Sequence, residues 1–314
     1  MALNKIRSLI VDRIGITVKI GSQNLYKFAY GQLHLIRDEQ HQLLPDGKIK
    51  LNYKKYNTRL DYYTAYSHKR AGRRKIASII VGTSHKHRYF SLTLFPSQFQ
   101  LGEFEHFQCV LEMMLPDFHY SKLYATGNVT YLELASDTLS QSHHSFLPYR
   151  KYSNTSSIYK EKSGCLGTTY VGSNESKLRF RMYDKRRQLL NTGKPLIAEA
   201  AVHTRIEAVL RRLGRTTATL AEMPNPFEKL KIADLTQATA LSNDANWQSF
   251  LADCLTADGV PDALKKLSQY LRKKYRGMLD SVPAWWWKPG LVWGQLSLAL
   301  TKIAPYHPDI STTD

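Results

Sequence analysis

The stretch "KLRFRMYDK", residues 177–185, alternates polar and apolar side chains from Lys177 to Tyr183. A period of two is the pattern of a strand with one buried face. It sets Leu178, Phe180 and Met182 on one side and Arg179, Arg181, Tyr183 and Lys185 on the other. One tyrosine hydroxyl thus shares a strand face with three cations. Two further stretches read the same way. In "NVTYLELAS" (128–136), Leu132 and Leu134 share a face, while Tyr131, Glu133 and, if the strand continues, Asp137 share the opposite one. In "HTRIEAVLRR" (203–212), Ile206, Ala208 and Leu210 oppose Arg205, Glu207, Val209 and Arg211.

If these strands are neighbours, about 4.8 Å apart with polar faces aligned, Glu133 and Glu207 would offer carboxylates to one hard divalent cation beside the Tyr183 hydroxyl. Mg²⁺ or Mn²⁺ there would polarise a phosphodiester, the phenolate would attack in line, and Lys185 or an arginine would stabilise the developing charge. Nearby cations favour the phenolate of a group whose ordinary pKa is about 10. Alternation alone does not settle the role of Tyr183, and by itself it favours the bland reading. The chain has 19 tyrosines, most tyrosines are packing residues, and Glu207 would pair as readily with Arg205 or Arg211.

Outward from these strands, the chain has 314 residues, of which 43% are hydrophobic, enough for one large core or two modest ones. Lysine and arginine total 44 against 26 acids, a formal charge of +18, which favours polyanionic partners through phosphate neutralisation. The longest mostly apolar stretch, 291–306, is interrupted by Gln295 and Lys302 and falls short of the roughly 20 residues a membrane span needs; it predicts a packed C-terminal helix. Three cysteines, Cys109, Cys165 and Cys254, fit neither a disulfide framework nor a zinc site, which points to the cytoplasm.

Residues 15–100 carry short alternating stretches, "GITVKI", "YKFAYGQLHLI", "KIASIIVG" and "RYFSLTLFP", and are expected to be strand-rich. Phe104, Phe107, Val110, Leu111 and Met114 then recur at helical spacing. The polar segment 138–164 reads as a loop, and beyond about 216 the pattern predicts helix to the end. Accordingly, a sheet-rich domain is expected over 1–215 and a helical region over 216–314. The fold class is α+β, with a central, mostly antiparallel sheet and flanking helices.

Taken in order, "NVTYLELASD", "GTTYVGSNESKLRFRMYDKRRQ" and "HTRIEAVLRR" resemble the replication initiation factor family. That family includes rolling-circle initiators of staphylococcal plasmids and related phage proteins, and is similar in plan to the gene II proteins of filamentous phages. Its pattern is a strand hydrophobic-Asp-hydrophobic-Ala-x-Asp, a "G-S" turn, an Arg-x-Tyr-x-Lys strand and an Arg-Ile-Glu strand. The resemblance covers roughly residues 76–212. It implies a rolling-circle nuclease-like fold, Tyr183 as the residue that takes the 5′ phosphate of a nicked strand, Lys185 as its accompanying lysine and Glu207 as a metal ligand. Glu133 stands where the family has aspartate and Tyr131 where it often has arginine, and Asp137 matches the second acid and is the alternative ligand. The implied cofactor is Mg²⁺ or Mn²⁺. The implied partners are single-stranded or hairpin origin DNA, a host helicase and a DNA polymerase in a bacterial cytoplasm, with no membrane; a homodimer is compatible.

Ten lysines and arginines lie between residues 54 and 88, among them Lys69, Arg70, Arg73, Arg74 and Lys75, with Asp61 the only acid and six tyrosines between Tyr53 and Tyr89. Cations for a backbone and aromatic faces for bases suit single-strand binding, though a solvated loop fits equally. Arg179, Arg181, Arg186 and Arg205 are further expected DNA contacts. "SHKHR" (84–88) sets His85 and His87 on one strand face, a second place for a metal or for a phosphate contact. No Walker pattern occurs. Two other function classes stay open: a tyrosine recombinase, whose tyrosine normally sits on a helix near His-x-x-Arg, and a non-catalytic origin-binding or copy-control protein.

Overall fold

The computed structural model describes residues 9–43, 48–54, 57–63, 75–84, 87–151, 155–160, 166–194, 196–197, 201–256 and 259–305. Two compact units emerge. One gathers Val11–Glu133, Arg212–Met223 and Ser297–Asp314; the other gathers Met1–Ile10, Leu134–Arg211 and Pro224–Leu296.

The first unit begins with β1 (Ile10–Ile20) and α1 (Gln23–Leu43). It continues with β2 (Lys48–Lys54), β3 (Asn57–Tyr63), β4 (Lys75–Ser84), β5 (His87–Leu94), α2 (Glu103–Met114), α3 (Tyr120–Thr126) and the first half of β6 (Asn128–Thr138). Strand order is β2-β3-β4-β5-β1-β6, antiparallel from β2 through β1. Phe90, Leu92 and Leu94 alternate into the core, where Phe90 stacks on Phe118 at 4.3 Å. The helical spacing of Phe104, Phe107, Val110, Leu111 and Met114 buries all five on α2.

"YKFAYGQLHLI", expected to be a strand, is instead part of α1. Its apolar residues satisfy two periods at once, and the core selects the helical one: Ala29 and Leu33, four apart, are fully buried. Tyr26, Tyr30 and His34 form an i,i+4 ladder with ring centroids 6.0 and 4.6 Å apart, and Ser22 Oγ accepts from the Leu25 amide at 3.3 Å.

Gly127 closes α3, its amide donating to the Leu123 carbonyl at 2.9 Å. A Cβ there would collide with Ile16 Cγ2 and the Leu123 carbonyl oxygen, a backbone atom that cannot swing aside. Gly127→Ala is expected to destabilise by about 1–3 kcal/mol, the usual cost of overpacking. A lowered urea midpoint at unchanged slope would register it.

The second unit carries the end of β6, then β7 (Phe146–Tyr149), β8 (Ser156–Lys160), β9 (Leu166–Val171), β10 (Leu178–Asp184), α4 (Lys185–Asn191) and β11 (Thr204–Thr216), whose last residues belong to the first unit. Strand order is β6-β11-β10-β9-β8, with β8 to β11 antiparallel. Then come β12 (Lys231–Asp234), α5 (Leu235–Ala240), α6 (Ala245–Cys254), α7 (Gly259–Lys265), α8 (Gln269–Asp280) and α9 (Pro289–Trp293). Asp184, Asp234, Asp244 and Ser268 cap α4, α5, α6 and α8 with their side-chain oxygens. Trp247, stacked on Phe250 and edge-on to Tyr275, centres the helical core. The protein is therefore α+β with extensive antiparallel sheet.

Three sequence expectations change here. The segment 138–164 contains β7 and β8; β8 is a polar edge strand, so its residues carry little apolar pattern. The run beyond 216 includes a strand, β12, which pairs antiparallel with β7. The apolar stretch 291–306 is two short helices, α9 and α10 (Leu296–Thr301), rather than one. Gln295 lies at the break and accepts the Leu9 amide on its Oε1 at 2.9 Å. "WWWKP" (285–289) is mostly core: Trp286 packs edge-on to Phe146 and Trp287 donates to the Leu230 carbonyl at 3.1 Å, while Trp285 is exposed. Among the described residues no helix is long and apolar enough to cross a membrane.

Candidate active site

The registers of β8, β9, β10 and β11 align two rows of side chains. Tyr183 faces Arg205 on β11 and Thr168 on β9, and Thr168 faces Tyr159 on β8. Two residues along, Arg181 faces Glu207 and Tyr170, and Tyr170 faces Ser157. Directly opposed residues share a sheet face, so Tyr159, Tyr170, Arg181, Tyr183, Arg205 and Glu207 all lie on one side. Phe180 and Met182 are buried on the other, as the alternation requires.

Tyr183 and Glu207 are diagonal neighbours, and the tyrosine hydroxyl donates to Glu207 Oε1 at 2.7 Å. Arg181 forms an ion pair with the second carboxylate oxygen. Glu207 has no solvent exposure and Tyr183 is 7% exposed. A carboxylate removed from water is tolerated because a guanidinium and a phenol satisfy it. Tyr183 nevertheless borders an open cleft of about 310 Å³, lined also by Tyr159, Lys160, Tyr170, Arg181 and Gln188.

Lys185 does not continue the strand face. Asp184 ends β10 by accepting the Arg187 amide at 2.9 Å, and Lys185 starts α4, its amide donating to the His203 carbonyl at 2.7 Å. Its ammonium donates to Gln188 Oε1 at 2.6 Å and lies 6.0 Å from the Tyr183 ring centroid. Arg186 follows it in α4, half-buried.

Asp137 and Arg205 form a second buried pair, bidentate at 2.6 and 2.7 Å. His203 Nε2 approaches Asp137 Oδ2 at 3.3 Å. Burial by itself would raise the Asp137 carboxyl, but the Arg205 and His203 contacts outweigh it and hold the group well below the usual carboxylate range. Glu133 belongs to the first unit. There Arg13 donates to both its oxygens at 3.2 and 3.0 Å, and the Tyr131 hydroxyl donates to Oε1.

Each of the three expected metal ligands is thus bound by its own arginine: Glu133 by Arg13, Asp137 by Arg205 and Glu207 by Arg181. The side chains as they stand do not fit Mg²⁺ or Mn²⁺, which would need oxygens that these guanidinium groups hold. Among the described residues, no three of His, Cys, Asp and Glu gather as metal ligands would.

Of the expected DNA contacts, Arg179 and Arg181 are half-exposed on the Tyr183 face, while Arg205 is buried on Asp137. Lys75 sits 3.7 Å from buried Asp61, which also accepts from Arg59 and Ser78, and lies over the Phe95 ring. Lys69, Arg70, Arg73, Arg74 and His85 lie outside the described residues; His87 is exposed. Tyr62, from the tyrosine-rich basic stretch, is buried against Phe107. Tyr159, Lys160 and Tyr170 also line this site, and nothing in their own sequence gives the register that carries them to Tyr183. Comparison with protein-family models and with characterised proteins gives no match for this chain.

Proposed function

We propose that the protein nicks and rejoins single-stranded DNA at a plasmid or phage replication origin, through a 5′-phosphotyrosine at Tyr183, in a bacterial cytoplasm. The fold in this reading is of the rolling-circle nuclease kind. The observation that carries the proposal is the Tyr183 hydroxyl bonded at 2.7 Å to buried Glu207, at the edge of an open cleft that Arg181 and Lys160 also line. The order of motifs along the chain adds the resemblance.

In the nicking step the Tyr183 oxygen bonds to phosphorus and the bond from phosphorus to the 3′ oxygen breaks. The phenol proton passes to Glu207, and the departing 3′ oxygen takes a proton from solvent. Arg181 and Lys160 neutralise charge on the non-bridging oxygens. The energy of the broken diester is conserved in the phosphotyrosine, so the reverse reaction rejoins a strand without ATP. The free 3′ hydroxyl serves a polymerase, with strand separation by a separate helicase.

The test is a denaturing gel of protein incubated with a labelled single-stranded origin oligonucleotide, with Mg²⁺, with Mn²⁺ and with chelator. A covalent adduct carrying the DNA 5′ phosphate supports the proposal, and its loss in the chelator arm would restore the metal that the resemblance implies. Pairing of all three acids with arginine favours a second reading, a non-catalytic origin-binding protein. Tight binding with no adduct in any arm selects it.

A further inference from the structure

We infer that Tyr170, Arg179 and Tyr159 form a stacking platform for an unpaired base of single-stranded DNA, next to the phosphate that Tyr183 would attack. The inference deepens the proposed nicking function and rests on it for the identity of the strand. The Arg179 guanidinium lies over the Tyr170 ring, 3.8 Å from its centroid, a cation stacked on an aromatic face. Tyr159 meets Tyr170 edge to face at 5.3 Å and 78°, and is 58% exposed. A tyrosine in a polar edge strand with its ring mostly in water, braced by a second ring, is an exposed aromatic surface at the mouth of a cleft.

The position of that surface follows from strand geometry. Tyr170 is directly opposite Arg181, and Tyr159 is directly opposite Thr168, which is opposite Tyr183. Tyr170 and Tyr183 are therefore diagonal neighbours on adjacent strands, roughly 7–8 Å apart, a separation that one nucleotide spans from its phosphate to its base. Tyr159, Tyr170 and Tyr183 line the same cleft, together with Lys160 and Arg181. Cations for the phosphates and ring faces for the bases are the two components that sequence-tolerant single-strand binding requires. Lys160, Arg181 and Asp184 line the cleft; Arg181 is paired with Glu207, and Arg179 on Tyr170 adds a further cation, so cations outnumber acids by three to two. Duplex DNA hides its base faces; only an unpaired strand presents one.

Fluorescence anisotropy at fixed salt tests this in the Tyr183→Phe background, so that binding is read apart from chemistry. The probes are an oligothymidylate and an oligomer of equal length whose phosphates and sugars are retained but whose bases are absent. The double substitution Tyr159→Leu with Tyr170→Leu is expected to weaken the oligothymidylate by about tenfold or more while leaving the abasic oligomer within twofold. Tyr159→Phe with Tyr170→Phe, which keeps the rings, should restore wild-type affinity, and it guards against a folding artefact in the leucine variant. The salt dependence of binding should not change, because no phosphate contact is lost. Equal loss on both probes, or no loss on either, overturns the platform, as does failure of the phenylalanine pair to restore binding. Tighter binding of an RNA oligomer of the same length would overturn its assignment to DNA. If the base-dependent loss appears but wild-type protein forms no covalent adduct, the platform stands and the nicking reaction falls; an adduct with no base-dependent loss gives the reverse.

Discussion

Tyr183→Phe is expected to fold, to bind single-stranded DNA and to yield no covalent product. The substitution removes one oxygen from a side chain that is 7% exposed and leaves the ring to fill the same space. Its structural cost is one hydrogen bond to an ionised acceptor, about 1.5–3 kcal/mol, and Glu207 keeps its pairing with Arg181. Its chemical cost is the nucleophile itself, and removal of a nucleophile typically costs on the order of 10⁶ in turnover. A quantitative adduct assay beside a thermal melt separates the two effects. Glu207→Gln should form adduct about 10²–10⁴-fold more slowly, because an amide holds the phenol in place but does not take its proton. An adduct that persists in Tyr183→Phe would show that another residue is the nucleophile.

Asp137→Asn is expected to produce the largest loss of stability of any single polar substitution in the second unit, about 3–5 kcal/mol. The pair with Arg205 is bidentate, both residues are buried, and His203 supports the same carboxylate. Asparagine is nearly isosteric but neutral. Arg205 would be left as a buried charge with half its acceptors gone. Urea titration should show a lower midpoint at an unchanged slope. The pH dependence has a definite sign. Because the folded-state carboxyl lies below its unfolded value of about 3.9, the contribution is fully present above that pH and is lost as pH falls through the folded pKa. The difference between wild type and variant should therefore shrink in acid below about pH 5.

Much of the site was legible because its strands are half-buried. "KLRFRMYDK" has to put Phe180 and Met182 inward, and that alone turns Arg179, Arg181 and Tyr183 to one face. Glu207 turns to the face of Arg205 by the same alternation. Lys185 leaves that face, because Asp184, polar where the next apolar residue would fall, caps a helix and ends the strand. In α1, aromatic and apolar residues fit periods of two and of 3.6 equally well, and only the packing of Ala29 and Leu33 separates them. β7 and β8 are too short or too polar to carry a pattern of their own.

The carboxylates show a different kind of gap. Three acids on polar strand faces suggest metal ligands, yet each has an arginine as partner, and those partners lie 120, 68 and 26 residues away in the chain. Nothing local distinguishes an acid that awaits a cation from one already neutralised. The sequence by itself determined the α+β class, the excess of positive charge and the face on which Tyr183 sits, since hydrophobic period and composition are local properties. Only the tertiary structure decided which groups touch that tyrosine. Register pairs Arg181 with Glu207 and Tyr170 and brings Tyr159 into the same cleft, and the fold sets Asp137 against Arg205. Register is a relation between strands, set by what the whole sheet buries, and no single strand contains it.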